Sequence, residues 1–280
     1  MAKRKRKIDV EKRIKEGRGK GVACEYKPWL TIQDVASKGR ASRIKGIKTG
    51  RKHELLSDME RDYFYILDFS DVVQDIREQF PLLPLEETVL IAEELGYVHP
   101  KDTETGELIV MTTDFLVNIS YNNENIEIAR TIKQKDDLLN RRIIEKFEIE
   151  RVFWERKGVD WSVITEEEID DAIAKNISLI HSYSDISLID SFTDIEASEV
   201  QDLVYEFLKK IIDNPKTMRK ICHEFEDEMC LEKGTGLSIF KYLVINRIIE
   251  IDITQKINVN RNIPIINVVE GSIKKMEVIW

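Results

Sequence analysis

Three residues in the first half of the chain are of the types that phosphodiester hydrolysis needs. Asp114 interrupts the run "LIVMTTDFLVNISY", and Lys133 closes the run "IEIARTIK". Strict alternation in the second run puts Ile126, Ile128, Arg130 and Ile132 on one face and Glu127, Ala129, Thr131 and Lys133 on the other. If "NNEN" turns about Asn123 and Glu124, Asp114 falls opposite Lys133 on the neighbouring strand, with Cβ atoms about 4.5–5.5 Å apart. Such a pair has two readings. One is an ion pair across the sheet surface, which is common and contributes little. The other is a divalent-metal site, in which carboxylate and carbonyl oxygens take a hard cation. The ammonium beside it orients water and balances charge developing on a phosphate. Glu60 is the third candidate. "SDME" reads as a capping box, with Ser57 at the N-cap and Glu60 at the third helical position. That role accounts for Glu60 structurally, yet it also borders an apolar stripe one turn before Phe64, close to any sheet packed on that helix.

The elements that must position these residues run helix, three strands, helix, strand. "LLSDMERDYFYILDF" carries Met59, Tyr63, Ile66 and Leu67 at helical spacing. "VVQDIREQF" reads as a strand stopped by "PLLP", and a loop through "GYVHPKDTETGE" leads to the strand of Asp114. After the hairpin, "DDLLNRRIIEKFEIERVFWERK" reads as a helix with a stripe of Leu139, Ile143, Ile144 and Phe147. Gly158 ends it, and "VDWSVIT" is the last strand. "TEEEIDDAI" opens a further helix and marks a domain boundary, giving domains 1–168 and 169–280. Beyond it, helical runs through "VQDLVYEFLKKII", "TMRKICHEFEDEM" and "GTGLSIFKYLVINRIIEIDI" precede the strand-like "KINVNRNIPIINVV". That order outlines a winged helix-turn-helix.

A chain of 280 residues suffices for two modest domains. It holds no run of about 18 apolar residues, so no membrane span is expected. Three scattered cysteines, Cys24, Cys222 and Cys230, make no disulfide framework and point to a reducing, intracellular setting. Cys222, His223 and Cys230 lack a fourth zinc ligand, and "EKGTGLSIF" lacks the Lys-Ser/Thr pair of a phosphate-binding loop. The net charge of −9 conceals an asymmetry: residues 1–52 hold 18 Lys and Arg against 5 Asp and Glu. A basic front on an acidic body is the signature of a nucleic-acid arm. "MAKRKRK" reads equally as a disordered tail. The candidates for phosphate contact are Arg13, Lys15, Arg18 and Lys20 in one segment, and Arg40, Arg43, Lys45, Lys48, Arg51 and Lys52 in the next.

"KRIKEGRGKG", "PWLTIQDV", "HELLSDME", "DIREQFPLLP", "MTTDFLV" and "EKFEIERVFWERK" are more specific. With the element order above, they resemble the TnsA family, endonuclease subunits of heteromeric cut-and-paste bacterial transposition systems. The likeness is close over residues 12–168 and thinner after. It implies a restriction-endonuclease-like α/β catalytic domain followed by a mostly helical winged-helix domain. It further implies Mg²⁺-dependent cleavage, with Mn²⁺ as a substitute and one or two ions bound, of the 5′ strands at transposon ends in double-stranded DNA. The implied partners are TnsB, a transposase acting on the 3′ strands, and TnsC, an ATPase regulator binding the C-terminal domain. A cytoplasmic protein, nucleoid-associated when active, follows from the same likeness. The family's catalytic glutamate, aspartate and lysine fall on Glu60, Asp114 and Lys133. Its metal shell adds the side chain two before the lysine and the carbonyl just before it, here Thr131 and Ile132.

Thr131 departs from the family, which has a glutamine there. A shorter, neutral hydroxyl leaves the number and affinity of bound metals open, and Glu127 lies too far along the strand to replace it. Two rivals stand beside this reading. One is a stand-alone restriction or repair nuclease of the same fold. The other is a non-catalytic winged-helix DNA-binding regulator with a degenerate nuclease-like front. Thr131 keeps the second open; Glu60, Asp114 and Lys133 together argue against it.

Overall fold

A turn at Asn122 and Asn123, not one residue later, sets the register on which the site depends. Both asparagines are left-handed, with φ of +51° and +64°, as a two-residue hairpin turn requires. The computed structural model describes residues 10–35, 40–103, 105–193 and 195–269, so "MAKRKRK" lies outside the described residues. The chain divides into two compact units between Ile169 and Asp170. The first runs α1 (Val10–Lys15), β1 (Ser42–Lys45), β2 (Lys52–Leu55), α2 (Asp58–Phe69), β3 (Val73–Pro81), α3 (Leu85–Glu94), β4 (Thr112–Tyr121), β5 (Glu124–Ile132), α4 (Arg141–Arg156) and β6 (Asp160–Ile164).

Four strands form the central sheet in the order β3-β4-β5-β6, and β1 and β2 make a separate hairpin. The first two sheet junctions are antiparallel and the β5–β6 junction is parallel, with α4 as the crossover. One face packs against α2 and β2 through Leu55, Phe64, Ile76, Phe115 and Val117. The other packs against α3 and α4 through Leu82, Ile91, Leu116, Ile149, Phe153 and Trp154. Burying side chains of this size contributes about 1.5–3 kcal/mol each, so α2 and α4 are fixed firmly on opposite faces.

Several expectations change. Residues 85–94 form α3, an additional helix, where a loop through the following residues was expected to carry the chain directly to Asp114's strand. The basic segment after residue 40 forms the β1–β2 hairpin. The buried stripe of α2 is Glu60, Phe64, Leu67 and Asp68, rotated by about one residue from the expected one. That of α4 is Ile149, Glu150, Phe153 and Trp154, while Leu139 precedes the helix and is 88% exposed. In both helices an acid joins the buried face. Trp154 and Trp161 lie in or against the core, as expected.

The second unit runs α5 (Asp171–Ile180), α6 (Ala197–Ile211), α7 (Met218–Glu228), α8 (Thr235–Ile245), β7 (Ile249–Glu250) and β8 (Asn267–Val268), with short 3₁₀ turns between α5 and α6. Phe207 and Phe225 meet edge to face at 5.1 Å in its core. The glycines of "EKGTG" have a local purpose. Gly234 takes φ +100°, and a Cβ on Gly236 would stand 3.0 Å from Cys222 Cα. The backbone N–H groups of both donate to the buried carboxylate of Glu226, at 2.9 and 3.0 Å. The anion at this helix N-terminus is therefore the protein's own. β7 and β8 pair antiparallel across residues 251–266, a connection that buried Asn176 holds through Ile253, Gln255 and Ile257. Among the described residues, no helix is long and apolar enough to cross a membrane.

Candidate active site

Glu60 enters the site through the cap that the sequence predicts. The Glu60 N–H donates to Ser57 Oγ at 3.1 Å, and Ser57 Oγ donates to Glu60 Oε1 at 3.0 Å. The other carboxylate oxygen, Oε2, accepts from the Leu56 N–H at 3.0 Å. Capping and a place in the site are thus compatible: the cap fixes the carboxylate on the buried face of α2.

Asp114 sits where β4 and β5 part. The ladder's last pair is Phe115–Arg130, so Asp114 stands one step beyond, level with Thr131 instead of Lys133. Its Oδ2 accepts from the Ile132 N–H at 2.7 Å, so a side chain takes over from the ladder at the fork. Alternation breaks at the same level in both β3 and β4. Glu78 and Phe80 ought to share a face, yet Glu78 bonds His53, which packs against Phe64, while Phe80 packs against Trp154. Phe115 lies with Phe64, while Thr113 bonds Glu150 and Trp154 on the opposite face. Gln79 is the hinge of this change, a non-glycine residue at φ +48°, a backbone that costs on the order of 1 kcal/mol or more. Its amide nitrogen donates to Asp114 Oδ1 at 3.1 Å and reaches Glu60 Oε2 at 3.4 Å.

Burial raises the carboxyl of Glu60, and the neighbouring Asp114 charge raises it further. Burial also raises Asp114, opposed by the Ile132 N–H, the Gln79 amide and the charge of Lys133. Lys133 follows the end of β5, and its Nζ pairs with Asp137 at 2.9 Å. It acts on Asp114 through its charge and not through the cross-strand contact expected from the later turn.

Thr131 is buried, and its hydroxyl donates to Glu150 Oε1 at 2.5 Å. The same oxygen accepts from Thr113 Oγ1 at 2.6 Å and Trp161 Nε1 at 3.0 Å. Burial pushes Glu150 up to about 7, against the pull of these hydrogen bonds. A cavity of about 740 Å³ opens onto Glu60, Asp114, Thr131, Ile132, Lys133 and Glu150. Arg40 and Lys146 also line it, and burial lowers the Lys146 ammonium, helped by Arg142 and Lys133. Gln79, Glu150 and Lys146 were not singled out by sequence reasoning. The available signals were an acid within the apolar stripe of α4 and three consecutive polar residues, Arg77 to Gln79, in a strand otherwise apolar at its ends.

The basic front divides in two. Arg13 pairs with Asp34 at 3.3 Å and lies over Trp29, while Arg18 pairs with Asp34 at 2.6 Å. Arg51 is held by both oxygens of Glu78, at 2.7 and 2.5 Å, and lies over Tyr26. Arg43 pairs with Glu54 at 2.8 Å on the hairpin surface. Lys48 is half-buried, its backbone N–H bonded to Asp68. Lys15, Lys20, Arg40, Lys45 and Lys52 are exposed, Lys15 within 4.0 Å of Glu11.

The donor chemistry fits a hard divalent cation. The two central carboxylates receive hydrogen bonds from neutral groups, and burial disfavours their charged forms in a way that a cation would reverse. Among the described residues, no three His, Cys, Asp or Glu side chains close into a ready-made ligand cluster. A cation held here would complete its shell with backbone carbonyl, solvent and phosphate oxygens, the habit of Mg²⁺.

Known proteins share the sequence of both units. Residues 70–166 match a family model described as the TnsA-like endonuclease N terminal, and residues 168–253 one described as the TnsA endonuclease C terminal. The transposition protein TnsA of transposon Tn7 from Escherichia coli is 35% identical over 254 residues, covering 91% of this chain and 89% of that protein. The chain therefore belongs to the TnsA family and is a transposition endonuclease.

Proposed function

We propose that this endonuclease is Mg²⁺-dependent, accepts Mn²⁺, and cleaves the 5′ strands at transposon ends. The observation that carries the reading is the meeting of Glu60 and Asp114, from a helix and a split strand, beside a lysine just past the end of the next strand. Asp114, Glu60 and the Ile132 carbonyl would hold one or two ions, with Thr131 at the edge of the shell. A bound divalent ion supplies a nucleophilic hydroxide and neutralises charge on the scissile phosphate. Lys133 orients the attacking water, and its ammonium balances charge on the phosphate oxygens. Asp137 holds that ammonium beside the cavity. Lys146 and Arg40 line the approach and favour an anionic strand. The exposed lysines of the basic front contact the DNA backbone.

The catalytic domain spans residues 1–168 and a partner-binding domain residues 169–280. Three helices, α6 to α8, followed by the β7–β8 pair support a winged-helix reading of the latter. Its helical surface carries acidic residues and suits a protein partner, in this system the regulator TnsC, while the transposase TnsB acts on the 3′ strands. The protein acts in the cytoplasm at the nucleoid.

Calorimetric titration of the full chain with Mn²⁺, alone and with duplex DNA, tests the reading. Saturable uptake by the wild type and none by Asp114→Ala is expected. Uptake unchanged by Asp114→Ala would refute it.

A further inference from the structure

Gln79 is the residue through which the two central carboxylates touch each other. Its side-chain oxygen accepts from Thr112 Oγ1 at 3.2 Å, which leaves the NH₂ group facing the carboxylates; the flipped amide would set its oxygen against two acceptor-only groups. The residue is 2% exposed. Its backbone is gripped on both sides. Glu78 before it is clamped by Arg51 and His53, and Phe80 after it stacks with Tyr26 at 6.3 Å and packs at a tilt against Trp154 at 5.8 Å. Its own carbonyl accepts from the Trp29 N–H at 3.1 Å. A left-handed residue fixed in this way delivers its side chain to one place.

We propose that Gln79 is a positioning residue for cation uptake: an uncharged clip that holds Glu60 and Asp114 together while leaving their negative charge for the metal. The inference rests on the metal-dependent reading above. Its physical content lies in the choice of an amide. A lysine at this position would neutralise the pair itself and exclude a cation. An apolar side chain would leave Asp114 Oδ1 without its donor and Glu60 Oε2 with the Leu56 N–H alone, and the two carboxylates would be free to separate. The amide offers hydrogen bonds to both and adds no net charge.

Two unbranched replacements separate these roles, measured by Mn²⁺ calorimetry on the full chain and by thermal melting without metal. Gln79→Met is expected to weaken Mn²⁺ binding about tenfold, since one charge-assisted hydrogen bond is worth roughly that much. Gln79→Lys is expected to raise the melting temperature of the metal-free protein and to abolish Mn²⁺ binding. A merely structural glutamine would lower the melting temperature in both variants and leave the dissociation constant of the folded protein unchanged. That outcome, with Asp114→Ala still abolishing uptake, overturns the inference and leaves the metal reading intact. A wild-type protein that takes up no Mn²⁺, with or without duplex DNA, overturns both.

Discussion

Adjacent residues of β3 serve two buried acidic centres that treat charge in opposite ways. Glu78 lies fully buried against the Arg51 guanidinium and His53, whose Nδ1 donates to it at 2.8 Å while Nε2 meets Thr49 Oγ1 at 2.7 Å. Burial alone would raise its pKa, but the hydrogen bonds from Arg51 and His53 overcome that and hold it at about 2. One residue on, Gln79 joins Glu60 and Asp114, whose hydrogen-bond donors are neutral and whose pKa values burial raises. In the first centre charge is satisfied and ties the basic hairpin to the sheet. In the second the donors are neutral, so ionising the two carboxyls is costly and a bound cation would relieve that cost. Uncompensated buried charge is costly to stability, and its place in a cavity is one ground for the metal site proposed there.

The largest expected effect breaks the second centre. Asp114→Ala should lower cleavage of transposon-end DNA by at least about 10³-fold, because it removes the carboxylate proposed to hold the metal. The assay is run with the proposed transposase and regulator present. Circular dichroism melting should show the fold of this variant retained. Retained cleavage would transfer the catalytic role elsewhere. In the first centre the sign is reversed. Arg51→Met strands a buried carboxylate and should destabilise the protein by about 3–5 kcal/mol, read as a lower urea midpoint. Because folding depresses Glu78 below its ordinary 4.5, that centre's stabilisation is full above pH 4.5 and fades as pH falls towards about 2. A wild-type melting temperature insensitive to pH across that window would contradict the assignment.

Glu150 provides a finer comparison within the acidic cavity. Its folded pKa of about 7 lies above the ordinary 4.5, so the folded state holds the proton more tightly. The penalty is absent below pH 4.5, grows as pH rises, and is complete above pH 7. Glu150→Gln keeps the oxygen that accepts from Thr113, Thr131 and Trp161 and does not titrate. The variant should gain about 1–3 kcal/mol over wild type at pH 8 and nothing at pH 4. Equal melting temperatures at pH 8 would mean that the carboxylate is better solvated than its burial implies.

Asp114 was legible as a charge in an apolar run, Lys133 by its expected place across from it, and Glu60 by its capping box and the family likeness; the structure adds that all three line one cavity. The order of the main elements was legible from apolar periodicity. The register was not: "NNEN" offers two turn centres, and only the left-handed pair Asn122 and Asn123 places Asp114 level with Thr131. Gln79 acquires its meaning from a break in alternation shared by two strands, which a single strand does not reveal. The β1–β2 hairpin was hidden because its apolar anchor is small, Leu55 with Ile44 beside it, and a polar network through Arg51 and Glu78 does the rest. α3 left a usable trace, since Thr88, Ile91 and Ala92 recur at helical spacing and are buried.

The smallest effects separate basic residues turned inward from those turned outward. Lys45 and Lys52 are exposed on the hairpin, whereas Arg13, Arg18 and Arg51 engage Asp34 or Glu78. A lysine that contacts phosphate releases a counterion on binding, so Lys45→Gln or Lys52→Gln should each flatten the slope of log affinity against log salt by about 0.9. Charge reversal of the exposed lysines should weaken duplex binding at every salt concentration while leaving the melting temperature within about 1 °C, as surface changes usually do. Arg13→Gln should do the reverse, lowering the melting temperature and leaving the salt slope unchanged. Equal slopes in the lysine variants would remove the hairpin from the DNA interface and leave it as a brace for β3.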